Sequence, residues 1–167
     1  MRVKTLLGKA AENGRPFTRG DDGTTMAETN DWNANVIAEF RANGGKVGGN
    51  FEGAPITLVH HKGRKSGREH VAPMMYLAAE DDPKTIYVFA TKAGAPTNPD
   101  WYYNLTAAGN GRVEVGSEEY PVSVTELQGG ERDRVFAVQA GRYPGIGEYE
   151  QKTAGIRTIP VLALTRS

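Results

Sequence analysis

The chain has 167 residues and a mass of 18.1 kDa, enough for one compact domain with its own core and too little for two of ordinary size. Hydrophobic residues make up 38% and charged residues 24%, which excludes a fibrous or wholly disordered chain; Lys+Arg and Asp+Glu both total 20, so no overall positive field exists to hold nucleic acid. With no cysteine in the sequence, disulfides, thiolate nucleophiles, iron–sulfur clusters and Cys-ligated zinc are excluded together. The lack of cysteine, a longest apolar run of only residues 72–79 and an N-terminus with no apolar signal region lead to the expectation of a cytoplasmic protein without a transmembrane segment.

Residues 1–30 mix Gly, Thr, Asp and Arg without periodicity and are expected to form a disordered leader, with Met26 as a second candidate start of translation and residues 31–167 as the folded domain. Asn30 or Asp31 can cap a helix whose Trp32, Val36, Ile37 and Phe40 share one face, and Gly44 with Gly45 supplies its stop. The period then changes from helical to extended. Residues 56–61, 71–79, 85–91, 112–115, 119–127 and 159–165 read as strands, β-branched or aromatic-rich and bounded by Gly, Pro or Asp turns. Helical segments are expected over residues 99–108 and 130–140, with a shorter one over 147–153. Consecutive strands on short connections cannot form a doubly wound parallel sheet, which needs a crossover helix after each strand. The expected fold is therefore mainly β (α+β), a small antiparallel barrel with helices packed outside.

The densest chemical signal is Lys62-Gly63-Arg64-Lys65-Ser66-Gly67-Arg68, which joins two expected strands. Glycines there let backbone N–H groups approach an anion, while Arg offers a bidentate fork and Lys a point charge. On residue types alone, a solvated hairpin tip fits the same run. A second signal is the strand end Thr91-Lys92-Ala93-Gly94-Ala95-Pro96, leading through Pro99 into Trp101-Tyr102-Tyr103-Asn104. Small residues at a strand end let a flat ring lie against the backbone, although a Pro-started helix with a core-facing Trp101 explains the segment as well. A third is Arg142-Tyr143-Pro144-Gly145-Ile146-Gly147-Glu148-Tyr149, two phenols flanking a Pro-Gly break, where tyrosines can stack on a ligand and donate to a developing oxyanion or simply sit half-buried.

Other chemistries are set aside. His60 and His61 are neighbours in a strand and point to opposite faces, so no metal site is expected. Ser66 lies outside any G-x-S-x-G, Gly109-Asn110-Gly111 and Gly145-Ile146-Gly147 lack the last glycine of a dinucleotide fingerprint, and there is no Walker A sequence.

In chain order the motifs are G-R-K-S-G, then P-M-M-Y from Pro73, then K-A-G-A-P-T-N-P-D-W-Y-Y-N-L, E-R-D-R, R-Y-P and a final R-T-I-P-V-L-A-L strand. From about Trp32 to the C-terminus this order resembles the deazaflavin-dependent nitroreductase family of actinobacteria. The resemblance implies a six-stranded antiparallel split β-barrel, like the FMN-binding split barrels, that uses coenzyme F420. It implies that Arg64, Lys65, Ser66 and Gly67 take the cofactor phosphate and glutamyl tail, with His70 standing where the family often has Arg. It also implies that Thr91, Lys92, Ala93 and Gly94 line the deazaflavin ring; Pro99, Trp101 and Asn104 shape the same pocket, and Pro73 and Met75 belong to the cofactor site. Tyr143 and Tyr149 match tyrosines on the substrate side, the candidate catalytic pair, while Met75 and Ile146 replace phenols of the nitroreductase and make the pocket more apolar.

The activity so implied is hydride transfer from reduced F420 to a small, flat, conjugated acceptor such as a quinone, an enone or a nitro compound. No nucleic-acid partner is expected, peripheral contact with a membrane is left open, and the oligomeric state is not specified. An FMN-dependent split-barrel oxidoreductase and a noncatalytic F420 carrier are the competing readings.

Overall fold

The computed structural model describes residues 26–167, with side chains from residue 32 onward apart from residue 50. The expected leader therefore lies almost wholly outside the described residues. Helix α1 spans Met26–Ala42, beginning before the expected cap at Asn30 or Asp31. Met26, Ala27 and Glu28 are good helix formers, and propensity carries the helix back through the polar residues that resembled a cap. Among the described residues, no helix is long and apolar enough to cross a membrane.

Six strands follow: β1 (Ile56–Lys62), β2 (Glu69–Ala78), β3 (Thr85–Phe89), β4 (Asn110–Val115), β5 (Glu118–Glu126) and β6 (Val161–Arg166). They close into an antiparallel barrel in the order β1-β2-β3-β6-β5-β4, so every expected strand is present. The ends differ. β3 stops at Phe89 because the Thr91 N–H turns back to the Phe89 carbonyl at 2.9 Å, and Ile159 and Pro160 precede β6 rather than open it. Helix α2 is Asp100–Ala108, α3 is Gly129–Arg142 and α4 is Pro144–Thr153. The last is longer than the expected 147–153, since Pro144 occupies its first turn, where a missing N–H costs nothing.

Backbone contacts divide the described chain into two units. The smaller comprises residues 26–58 and 114–118, where Val36, Phe40, Val47, Ile56 and Leu58 are buried. Arg41 donates through Nε and Nη2 to the two Glu114 carboxylate oxygens, at 3.0 and 2.6 Å.

The larger comprises residues 59–113 and 119–167. Its central strand β6 is buried on both faces, which explains the unbroken apolar run Val161-Leu162-Ala163-Leu164. The pairs Tyr87↔Ala163 and Leu77↔Tyr87 put Leu77, Tyr87 and Ala163 on one face. With Phe89, Leu127, Val161 and Ile159 they meet Val135 and Phe136 of α3 in one apolar cluster, and Ile146 and Tyr149 of α4 pack against it. Alternation sends Val88, Leu162 and Leu164 to the other face, and all three are fully buried.

Candidate active site

The basic turn closes on itself before it offers anything outward. Between β1 and β2, the Gly63 N–H donates to the Arg68 carbonyl (2.8 Å), the Gly67 N–H to the Gly63 carbonyl (2.9 Å) and the Arg68 N–H to Ser66 Oγ (3.1 Å). A Cβ on residue 63 would lie 2.5 Å from Ser66 Oγ, so a side chain there would have to displace the hydroxyl that accepts from the Arg68 N–H. Arg64, Lys65, Ser66, Gly67, Arg68 and His70 are all exposed at the tip. A free basic hairpin would leave its arginines mobile, whereas this one is anchored. The Arg64 backbone N–H and its Nη1 both donate to Asn104 Oδ1, at 3.0 and 3.1 Å, and its guanidinium lies 5.0 Å from the centre of the Tyr103 ring.

Asn104 is buried beneath that turn and has a second partner, His61 Nδ1, 3.0 Å from its Nδ2. Because Oδ1 accepts from Arg64, Nδ2 is the donor and His61 Nδ1 must be unprotonated. Burial, then the neighbouring His70, holds the His61 pKa down to about 4, with His60 acting the same way and Asp100 and Glu69 opposing. The His61 and His70 rings stack with centroids 5.4 Å apart. His60 turns away, as alternation requires, and its Nδ1 meets Arg112 Nη2 at 3.0 Å.

This arrangement sets a pH dependence of stability. The unfolded His61 takes up a proton near 6.5 and the folded one only near 4, so its contribution is fully present above about pH 6.5 and is lost as pH falls from there toward 4. Melting temperature against pH for the wild type and His61→Gln, which keeps an acceptor facing Asn104, should show a shallower acid limb in the variant. Parallel curves would mean that His61 does not govern that limb.

The second half of the site is the turn after β3. Lys92, Ala93 and Gly94 have φ of 46°, 54° and 79°, a left-handed run that includes two residues with side chains. Each of those two costs about 1–2 kcal/mol that the surroundings must offset. Within the turn the Gly94 N–H donates to the Thr91 carbonyl (2.9 Å) and the Ala95 N–H to the Lys92 carbonyl (3.0 Å). Gly94 is buried beneath α4, where an added Cβ would sit 3.0 Å from Lys152 Cδ and 3.2 Å from Tyr149 Cδ1. Lys92 and Ala93 are exposed, and Lys92 Nζ donates to Thr97 Oγ1 at 3.1 Å.

The expected ring-side and substrate-side residues therefore meet: Gly94 rests on Tyr149. Burial, and secondarily Glu148, pushes the Tyr149 phenol above the usual 10.0. Tyr143 is half-buried at the junction of α3 and α4, where its carbonyl accepts from the Ile146 N–H at 2.8 Å. Pro73, Met75 and Leu77 share one face of β2 by alternation, and Leu77 on that face joins the cluster on which Ile146 and Tyr149 pack. Pro99 is buried as the cap of α2, and Trp101 is half-buried in its first turn. Asn104, expected to shape the ring pocket, stands under Arg64.

Helix α2 ties the two turns together through residues to which sequence reasoning gave no role. Asn98 Nδ2 donates to Tyr103 Oη at 3.3 Å, and Tyr103 lies under Arg64. Arg157 donates to Asn98 Oδ1 at 2.7 Å and to the carbonyls of Ala90, Thr91 and Ala95 at 2.9–3.1 Å. The one sequence signal for Arg157 is its place in the R-T-I-P motif; Asn98 and Tyr103 lie in the loop-and-helix motif, and His61 enters the sequence reading only as a candidate metal ligand.

The donor set suits a cofactor with a planar ring and an anionic tail. Cations and a hydroxyl stand exposed at one turn, with Arg64 anchored, and the other turn exposes Lys92 and Ala93 beside a buried Gly94 that lies against Tyr149. The described residues contain no cluster of three or more metal-ligating side chains.

Residues 32–166 match the family described as F420H(2)-dependent quinone reductase. The F420H(2)-dependent quinone reductase Rv1261c of Mycobacterium tuberculosis is 30% identical over 136 residues, covering 77% of this chain and 86% of that one. A solved F420-H2 dependent reductase, FDR-A, is 33% identical with a TM-score of 0.57, over 66% of this chain and 93% of the other. Another solved chain, described as a domain-swapped dimer, is 29% identical with a TM-score of 0.59, over 84% of this chain and 99% of that one. With the split-barrel fold and a site that suits such a cofactor in place, the chain belongs to the F420H(2)-dependent quinone reductases, a family of oxidoreductases whose cofactor is F420H2.

Proposed function

We propose that this protein catalyses hydride transfer from reduced F420 to a flat, largely apolar acceptor carrying one conjugated carbonyl, the class that includes quinones and α,β-unsaturated ketones and lactones. The observation that carries this reading is the juxtaposition just described: a cationic turn anchored through Arg64 and the left-handed Lys92–Gly94 turn that lies against Tyr149, joined through α2. Arg64, Lys65, Ser66 and the backbone around Gly67 bind the phosphate and glutamyl carboxylates, with Arg68 and His70 at the same tip. Thr91, Lys92, Ala93 and Gly94 support one side of the ring, and Pro99 and Trp101 close the loop that carries them. When bound, the reduced cofactor supplies a hydride from its reactive ring carbon, which is two-electron chemistry.

The protein's own part is orientation, exclusion of water and the handling of one proton. Ile146 and Met75 supply an apolar wall where the resembling nitroreductase has phenols, which favours an apolar acceptor over a charged sugar or nucleotide. The Tyr149 phenol, protonated at neutral pH, donates to the acceptor oxygen as hydride reaches the conjugated carbon, and Tyr143 borders the same side.

Steady-state oxidation of reduced F420 with menadione and with a cyclohexenone tests the reading. Turnover with at least one is expected. Tight F420 binding without turnover on either would instead make the protein a carrier.

A further inference from the structure

Arg157 lies outside every group of residues assigned so far to cofactor or acceptor, yet it makes more polar contacts than any of them. It sits between α4 and β6, with its backbone N–H bonded to the Thr153 carbonyl at 3.1 Å. Two residues further on, the Ile159 carbonyl accepts from Arg132 Nε and Nη2 at 3.1 and 2.9 Å, and the Pro160 carbonyl accepts from the Ala90 N–H at 3.0 Å. The segment that carries Arg157 is thus fixed on both sides. From it the guanidinium brackets the left-handed turn: Nη1 reaches the Ala90 carbonyl (3.1 Å) and Nη2 the Thr91 carbonyl (2.9 Å) where the chain enters, and Nε reaches the Ala95 carbonyl (3.0 Å) where it leaves. The remaining bond, Nη1 to Asn98 Oδ1 at 2.7 Å, holds the loop that runs on to α2.

We propose that Arg157 is a positioning residue for the cofactor ring: by gripping the carbonyls on either side of Lys92–Gly94 it keeps that turn in its left-handed form and so preforms the backbone surface on which the ring rests. The inference depends on the reading of this turn as the ring site. Two non-glycine residues do not hold positive φ in a free loop. Inside the turn each hydrogen bond spans three residues, Gly94 to Thr91 and Ala95 to Lys92, whereas the Arg157 side chain bonds both the entry carbonyls of Ala90 and Thr91 and the exit carbonyl of Ala95. A planar fork is needed for this, because the acceptors lie on several sides; the single nitrogen of a lysine cannot serve them together.

The test compares intact F420 with its ring–ribityl fragment, which lacks the phosphate and glutamyl tail. Fluorescence titrations would use wild type, Arg157→Ala, Arg157→Lys and Arg64→Ala, each with its melting temperature. Both Arg157 variants should raise the dissociation constant of the two ligands by the same factor, on the order of 10- to 100-fold. Millimolar guanidinium should recover part of that loss in Arg157→Ala. Arg64→Ala should weaken intact F420 and leave the fragment unchanged, which separates ring from tail. A lower melting temperature with unaltered dissociation constants would reduce Arg157 to a structural role and overturn the proposal, as would a loss confined to intact F420. If Arg157→Ala does not fold, Arg157→Lys carries the same comparison. Wild-type protein that binds neither ligand would overturn the ring-site reading along with this one, whereas wild-type binding with unaffected Arg157 variants would overturn this one alone.

Discussion

Tyr149→Phe should lower kcat with menadione by up to roughly 100-fold while leaving KM for the acceptor nearly unchanged. The split follows from when the bond matters. A neutral carbonyl accepts only weakly from a phenol; an oxygen gaining charge as hydride arrives accepts strongly, so the hydroxyl stabilises the transition state more than the bound acceptor. The phenol is protonated at neutral pH, burial raising its pKa further above 10.0, and Tyr149 packs against the cluster that contains Leu77, Phe89, Val135 and Phe136, with Gly94 close to its ring. Phe keeps that packing, so the variant removes the hydroxyl alone. An unchanged kcat would remove Tyr149 from the chemistry and leave Tyr143 or water as the proton source.

Arg64→Ala should raise the dissociation constant of F420 by roughly 10- to 150-fold, the usual worth of a charge-assisted hydrogen bond at about 1.5–3 kcal/mol, and Lys65→Ala by less. Arg64 is the stronger because it is held in place: Asn104 accepts both its N–H and its Nη1, and Tyr103 supports the guanidinium. Lys65 is an exposed point charge, and its effect should fade as salt rises. Both residues stand on a turn outside the core, so circular dichroism should stay native. Native spectra with unaltered affinity in both variants would show that the tail binds elsewhere.

What the sequence made legible follows the range of the interactions. Strands were readable because β-branched runs alternate locally, and β6 was readable because a strand buried on both faces is apolar throughout. The basic turn was readable because its glycines and cations are contiguous. The start of α1 was misjudged because Asn30 and Asp31 suit a helix cap in isolation, while Met26 to Glu28 suit a helix interior equally well. The tie between the two turns could not be read at all. His61 and Asn104 are 43 positions apart, and Arg157 and Ala95 are 62 apart; no local pattern reports such pairs. Nor does any residue type announce the left-handed Lys92 and Ala93, since glycine is the usual mark of positive φ and only Gly94 carries it.

Side-by-side titration of the purified protein with oxidised F420 and with FMN tests the central claim most directly. The two cofactors share a three-ring system and a ribityl phosphate, and F420 adds a carboxylate-rich tail that the anchored turn of Arg64, Lys65 and Ser66 is built to hold. Binding of F420 should be much the tighter, and its advantage should shrink as ionic strength rises. FMN binding as tight as that of F420, or tighter, would contradict the assignment of that turn and of the cofactor with it.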